Sequence, residues 1–246
     1  MRVLGVIPAR YHSQRLPGKV LLPLRDKPMI QHVYERARKV FGENIIVATD
    51  DMRVVEAVEA FGGRAVMTRT THASGTERVG EVAERFIYDA YVNIQADEPF
   101  IEAEQLRLLL EALKKHPLVT LMHRVQRKEE LITPSAVKVV VDKRGKALYF
   151  SRAILPYPRG VSLDNSELVH RMSYYRHIGV YGYHRSVLME IVTLSPSPLE
   201  EVEQLEQLRW LYHGYEVWVW ETPYRSYGID TPEEYEMAQK LAETLL

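Results

Sequence analysis

The segment PARYHSQRLPGK, from Pro8 to Lys19, holds the densest chemistry in the chain. Arg10, Arg15 and Lys19 bring three cations into a stretch that also carries Ser13, Pro17 and Gly18. A guanidinium presents a planar fork to phosphate oxygens, and an ammonium presents a compact charge. Glycine lets the backbone approach a ligand closely. Most basic loops are only solvated surface. This one follows the apolar run VLGVI (Val3 to Ile7), the place where open α/β sheets bind ligands. It is therefore expected to wrap a triphosphate. It is not a Walker A loop, because Lys19 is followed by Val20 and no glycine stands five residues before Gly18.

A second group is acidic. Asp97 closes the run AYVNIQAD and Asp230 closes YGID. Magnesium needs few protein carboxylates when substrate phosphates fill its other positions. Singly, Asp97 reads equally as a helix cap and Asp230 as a turn residue. Paired with a phosphate-type loop, they are expected to bind Mg2+. HASGTER, His72 to Arg78, reads as a glycine-containing loop whose hydroxyls and amides suit a base or ribose, although ordinary turns use the same residues. His72, Ser74, Gly75 and Arg78 are its candidates. His177 and Tyr181 are an even number apart in a strand-like run and point the same way, which also describes a packed sheet pair. Glu200 and Gln204, four apart, share a helix face.

These residues need a scaffold. Short apolar runs alternate with helical periodicity: a strand at Val3 to Ile7, a helix at Met29 to Phe41, a strand at Asn44 to Asp50 and a helix at Val54 to Phe61. A short strand near Gly63, a strand from Ala90 to Asp97 and a leucine-rich helix follow. The pattern predicts an α/β fold, a mostly parallel sheet flanked by helices. Further on come a hairpin turning near Lys143 to Gly145, a strand over Tyr174 to His184, a helix from Leu199 to His213 and a strand at Glu216 to Thr222. The last helix opens at Thr231-Pro-Glu-Glu, with Thr231 as cap and Glu234 completing a capping box.

Bulk properties narrow the classes. The 246 residues are 46% hydrophobic and 26% charged, ordinary for a soluble globular chain. A formal net charge of -1 argues against a dedicated nucleic-acid binder. The absence of cysteine excludes a disulfide framework, a thiolate nucleophile and a thiolate zinc site. No secretory signal or membrane-length apolar run is present, so a cytoplasmic location without membrane partners is expected.

With IPARYHSQRLPGK, DKPMI, ATDD, HASGTER, NIQADEP, ALYFSR, RHIGVYGY, LEEVEQLEQLR and GIDTPEE in view, the chain resembles the 3-deoxy-manno-octulosonate cytidylyltransferase (CMP-Kdo synthetase) family of sugar nucleotidyltransferases. The match runs almost end to end. It implies a Rossmann-like nucleotidyltransferase fold in one domain, with a nucleotide part at about 1–120, a smaller β-rich sugar and dimerisation lobe at about 121–225, and a C-terminal helix returning to the core at 226–246. It also implies transfer of CMP from CTP to Kdo, Mg2+ as cofactor and a homodimer. Carried over by position, Ala9, Arg10, Ser13, Arg15, Lys19, His72, Ser74, Gly75 and Arg78 serve the nucleotide. Gln95, Arg152, His177, Tyr181, Glu200 and Gln204 face the sugar acid. Asp97 and Asp230 hold metal, and Arg10 and Lys19 join them in catalysis. Ala96, Asp26 and His184 stand where the family usually has glycine, glycine and arginine. Two other readings remain: a cytidylyltransferase for a sialic acid, and a CTP-binding regulator without catalysis.

Overall fold

Six of the seven residues of strand β1 (Val3–Ala9) are buried, because the run is covered on both faces. The computed structural model describes residues 1–13, 15–162 and 168–246, without the side chains of His170 and Arg171. After β1 come a 3-10 turn (Lys19–Leu21) and a two-stranded ribbon, β2 (Pro23–Leu24) with β3 (Lys27–Pro28). Helix α1 (Met29–Phe41), β4 (Ile45–Thr49), α2 (Met52–Ala60) and β5 (Ala65–Met67) then alternate. They lead to α3 (Gly75–Arg85), β6 (Ala90–Asn93), α4 (Ala103–Leu113) and β7 (Leu118–Arg124). The short α5 (Lys128–Ile132), the hairpin of β8 (Lys138–Val141) and β9 (Ala147–Ser151), and α6 (Leu168–Arg171) follow. The chain ends with β10 (Tyr175–His184), α7 (Arg185–Ile191), α8 (Pro198–Glu203), α9 (Gln207–Tyr212), β11 (Trp218–Glu221) and α10 (Pro232–Leu245).

The main sheet has the order β11-β7-β10-β6-β1-β4-β5, with the β8–β9 hairpin attached to β10. Strand β1 runs parallel to β4 and β6, β4 to β5, and β11 to β7. Strand β10 is antiparallel to both neighbours, β6 and β7. Its first residues therefore lie at the carboxyl ends of the parallel strands. Alternation along β1 divides the core: Ile7 and Ala9 join α1 and α4 on one face, and Leu4 and Val6 join α3, α7 and α9 on the other. Helix α10 packs Ala238 and Ala242 against Leu24, Met29 and Phe100, which brings the chain end back beside the first loop.

Four expectations need correction. The segment His72 to Arg78 is not all loop, because Ser74 accepts the Glu77 N–H and opens α3 at Gly75. The helix expected from Leu199 to His213 is two helices, and Gln204 closes α8 in the left-handed region at φ 53. Glu200 and Gln204 therefore do not share a continuous helix face. The Arg152 guanidinium meets the carbonyls of Glu203 at 2.7 Å and Gln204 at 3.2 Å, and Arg209 turns back onto Glu200, which holds the break. Strand β6 stops at Asn93, so Asp97 sits in the turn beyond it. Strand β7 and helix α7 were not anticipated.

Candidate active site

The first loop reaches the end of β1 and turns at Gly18, whose φ of 65 is readily available to glycine. The turn delivers Lys19 between two segments distant in sequence. Its Nζ lies 2.6 Å from Asp97 Oδ2, 2.7 Å from Asp230 Oδ1 and 3.2 Å from the Ile229 carbonyl. Arg15 adds a 3.0 Å contact to the other Asp230 oxygen. Burial opposes the Lys19 charge, but Asp97 and Asp230 outweigh it and raise its pKa above the usual lysine value. Burial would likewise raise Asp230, and Lys19 with Arg15 holds it below the usual carboxylate range.

One cavity of about 200 Å3 opens beside this cluster, lined by Arg10, Ser13, Lys19, Gly75, Gln95 and Asp97 among others. Arg10 donates to the His72 carbonyl, and the His72 ring pairs with Glu81 at 2.6 Å. Ala9 is buried at the end of β1. A Cβ on Gly75 would come within 3.2 Å of the Pro8 ring, so glycine lets the start of α3 close on the first loop. Arg78 also borders the cavity but is fully buried, with its guanidinium on Asp50 at 2.8 Å and on the Thr68 hydroxyl. These contacts tie α3 to the strand ends.

A second cavity of about 210 Å3 shares Gln95 and Asp97 with the first and adds Glu98, Arg176, His177 and Asp230. Burial, with Arg176 adjacent, pushes the His177 pKa down to about 3, so its ring is neutral, and Nε2 lies 2.9 Å from the Thr120 hydroxyl. Burial pushes Glu98 up to about 7, while the Ser226 hydroxyl and the Tyr227 N–H donate to its oxygens.

The structure thus gathers Arg10, Ser13, Lys19, Gly75, Arg78, Gln95 and Asp97 around one cavity, and Gln95, Asp97, His177 and Asp230 around the other. Tyr181 packs its ring 5.3 Å from His177 and 5.0 Å from Trp210, behind the second cavity. Its buried hydroxyl has no partner among the described residues. Arg152, Glu200 and Gln204 stand outside both cavities, occupied with one another's neighbourhood through Glu203 and Arg209. Sequence reasoning missed Arg176, Glu98 and Ser226. An arginine within the aromatic run YYRHIGVYGY was an available signal for the first; Ser226 carried none.

A basic loop after the first strand, paired aspartates and two adjoining cavities at the strand ends define a nucleotidyltransferase of the α/β type. Residues 4–217 match the model of a family described as cytidylyltransferase. The 3-deoxy-manno-octulosonate cytidylyltransferase of Escherichia coli is 47% identical over 247 residues, 97% of each chain. That of Fusobacterium nucleatum is 46% identical over 240 residues, 96% of this chain and 95% of its own. A solved CMP:2-keto-3-deoxy-manno-octonic acid synthetase complexed with CTP superposes with a TM-score of 0.91 at 44% identity, covering 100% of both chains. A cytidylyltransferase from Leptospira borgpetersenii, at 19% identity and TM-score 0.63 over 100% of this chain and 88% of its own, shares the fold. The chain belongs to the 3-deoxy-manno-octulosonate cytidylyltransferase family.

Proposed function

We propose that the protein transfers CMP from CTP to the anomeric hydroxyl of Kdo, releasing pyrophosphate, and that the product serves lipopolysaccharide synthesis. The observation that carries this reading is the junction of the two cavities at Gln95 and Asp97. A hydroxyl held in one cavity there faces a phosphate held in the other, the arrangement an in-line displacement requires. The hydroxyl oxygen bonds to the α-phosphorus, the bond from that phosphorus to the bridging oxygen breaks, and the hydroxyl proton leaves to solvent. Arg10, which lines the first cavity, would neutralise the triphosphate, with Arg15 reaching it from its place on Asp230, and Arg176 would supply the charge that an acidic acceptor needs.

Asp97 and Asp230 converge on one cationic point, the Lys19 ammonium, at 2.6 and 2.7 Å. That convergence fits Mg2+, with substrate oxygens completing the shell. Bound there, Mg2+ would lower the pKa of the attacking hydroxyl. Lys19 would then turn its charge to the phosphates. The same reading includes a cytoplasmic enzyme that works as a homodimer through its second half, where Leu148 and Tyr157 expose 58% and 71% of their surface. The test is pyrophosphate release with CTP, UTP, ATP or GTP, each with Kdo and Mg2+. Turnover confined to CTP and Kdo is expected; equal turnover with a sialic acid, or none with Kdo, would sink the proposal.

A further inference from the structure

The first loop is tied to itself through Tyr11 and Gly18. The Gly18 N–H donates to the Tyr11 carbonyl at 3.0 Å, which brings the two ends of the loop together. A Cβ at Gly18 would come within 3.3 Å of the Tyr11 ring, so the turn that delivers Lys19 lies directly against that ring. On its other side in sequence, Tyr11 meets the His12 ring edge-on, with centroids 5.5 Å apart, and His12 lines the first cavity. Tyr11 itself lines neither cavity of the site. It supports the residues that do.

Arg53, in the first turn of α2, covers a face of the Tyr11 ring. Its guanidinium carbon lies 3.5 Å from the ring centroid. A cation over an aromatic face within about 6 Å is attracted by the ring quadrupole. The guanidinium is also fixed from its edge, because Nε and Nη2 donate to the two oxygens of Asp51 at 2.9 and 2.6 Å. Such a two-point fork sets the plane of the guanidinium as well as its position. Asp51 is anchored in turn as the cap of α2, accepting the Arg53 N–H at 2.9 Å. The Arg53 hydrogen bonds hold the Asp51 carboxyl down to about 2, so the pair stays ionised at neutral pH. A continuous chain of contacts thus runs from the start of α2 through Asp51, Arg53 and Tyr11 to Gly18, the neighbour of Lys19.

We propose that Arg53 is a positioning residue for the nucleotide, holding Tyr11 against Gly18 so that the cations of the first loop stand in place before the triphosphate arrives. The inference rests on the proposed function for the identity of that ligand. Arg53 lines neither cavity, so it acts through the Tyr11 ring and not by touching phosphate. A loop ordered in advance spares the binding step the cost of ordering it.

The experiment begins with Arg53→Ala. The Arg53 side chain is 53% exposed and alanine is a strong helix former, so the fold tolerates the change. KM for CTP should rise about fivefold, the worth of a cation–π contact at a partly exposed site, while kcat and KM for Kdo stay within about twofold. Arg53→Lys keeps a cation for the ring but not the fork on Asp51, and should restore part of the loss. In a Tyr11→Leu background, Arg53→Ala should add less than about twofold, because the ring through which it acts is gone. A full fivefold there would mean that the Arg53 charge acts on the triphosphate directly, and would overturn the inference. Equal rises in both KM values, or lost stability with KM for CTP unchanged, would overturn it too. Hydrogen exchange of the free protein gives a readout apart from turnover: the Gly18 amide, bonded to the Tyr11 carbonyl, should exchange about fivefold faster in Arg53→Ala. An unchanged Gly18 rate defeats this inference whatever the activity. Absence of turnover with CTP and Kdo in wild type defeats the proposed function instead, and the Gly18 rate still decides whether Arg53 holds the loop.

Discussion

Lys19 stands between Asp97 and Asp230, at the point proposed above for Mg2+, and its charge sets the energetics of the acidic pair. Its side chain is 12% exposed, while Asp230 is 45% exposed, so solvent screens part of the triad. Lys19→Met leaves Asp97 and Asp230 facing each other with Arg15 as remaining counter-charge, and should cost about 1–3 kcal/mol in urea unfolding. On the proposal that Mg2+ takes the place of the ammonium, it should recover more stability in Lys19→Met than in wild type. Equal Mg2+ responses would show that the carboxylates do not converge on a metal. His177 makes a separate prediction about pH. Its native pKa of about 3 lies below the ordinary 6.5, so between those values the unfolded chain binds a proton that the folded one refuses. The stability tied to this ring is complete above pH 6.5 and is lost as pH falls toward 3, by about 1.4 kcal/mol per pH unit. Between pH 7 and pH 5, wild type should lose about 2 kcal/mol more than His177→Gln, measured by urea unfolding at both values.

At the scale of elements, one carboxylate ties the start of α3 to the second half. Glu206, at the start of α9, accepts from the Ser74 hydroxyl and the Thr76 hydroxyl, each at 2.6 Å, and those residues form the start of α3. Glu206→Ala should cost about 1–3 kcal/mol by leaving two hydroxyls unpaired, and should raise KM for CTP more than KM for Kdo. Parallel rises in both constants would mean that the link does not position the nucleotide side. Ser74→Ala removes the same link and a helix cap, adding about 1 kcal/mol of destabilisation. Legibility in the sequence varied with how local the cause was. Helix α1 and the Thr231 capping box were legible because periodicity and caps are properties of neighbouring residues. Ser74 followed by Glu77 carried the same kind of signal for α3, but the glycine and hydroxyls around it also spell a turn. The break at Gln204 had no local signal, since glutamate, glutamine and leucine all favour helix. It depends on Arg152, 52 residues away, reaching the freed carbonyls.

For the whole molecule, the decisive feature is the antiparallel insertion of β10 between β6 and β7. Had β10 run parallel, Arg176 and His177 would lie at the opposite edge of the sheet from Asp97. An apolar and aromatic run reads the same in either direction, so the sequence could mark the strand but not its sense. The loop from Pro8 to Lys19 was recognisable by composition, whereas the second cavity depends on this reversal and on α10 returning past the first loop. On the proposed function, the two substrates would order different parts of one cleft. CTP at a hundred times its Kd should stabilise the fold by about 2.7 kcal/mol, a rise of roughly 5–10 °C in Tm for a chain of this size. UTP at the same concentration should give a smaller rise. Hydrogen exchange should locate the effect: CTP should protect the amides after β1 and at the start of α3, and Kdo those of Arg176 to Gly179 and Ser226 to Asp230. Both substrates should protect Gln95 to Asp97, where the cavities meet. If CTP instead protected the start of β10 and left α3 unchanged, the assignment of the two cavities would have to be reversed.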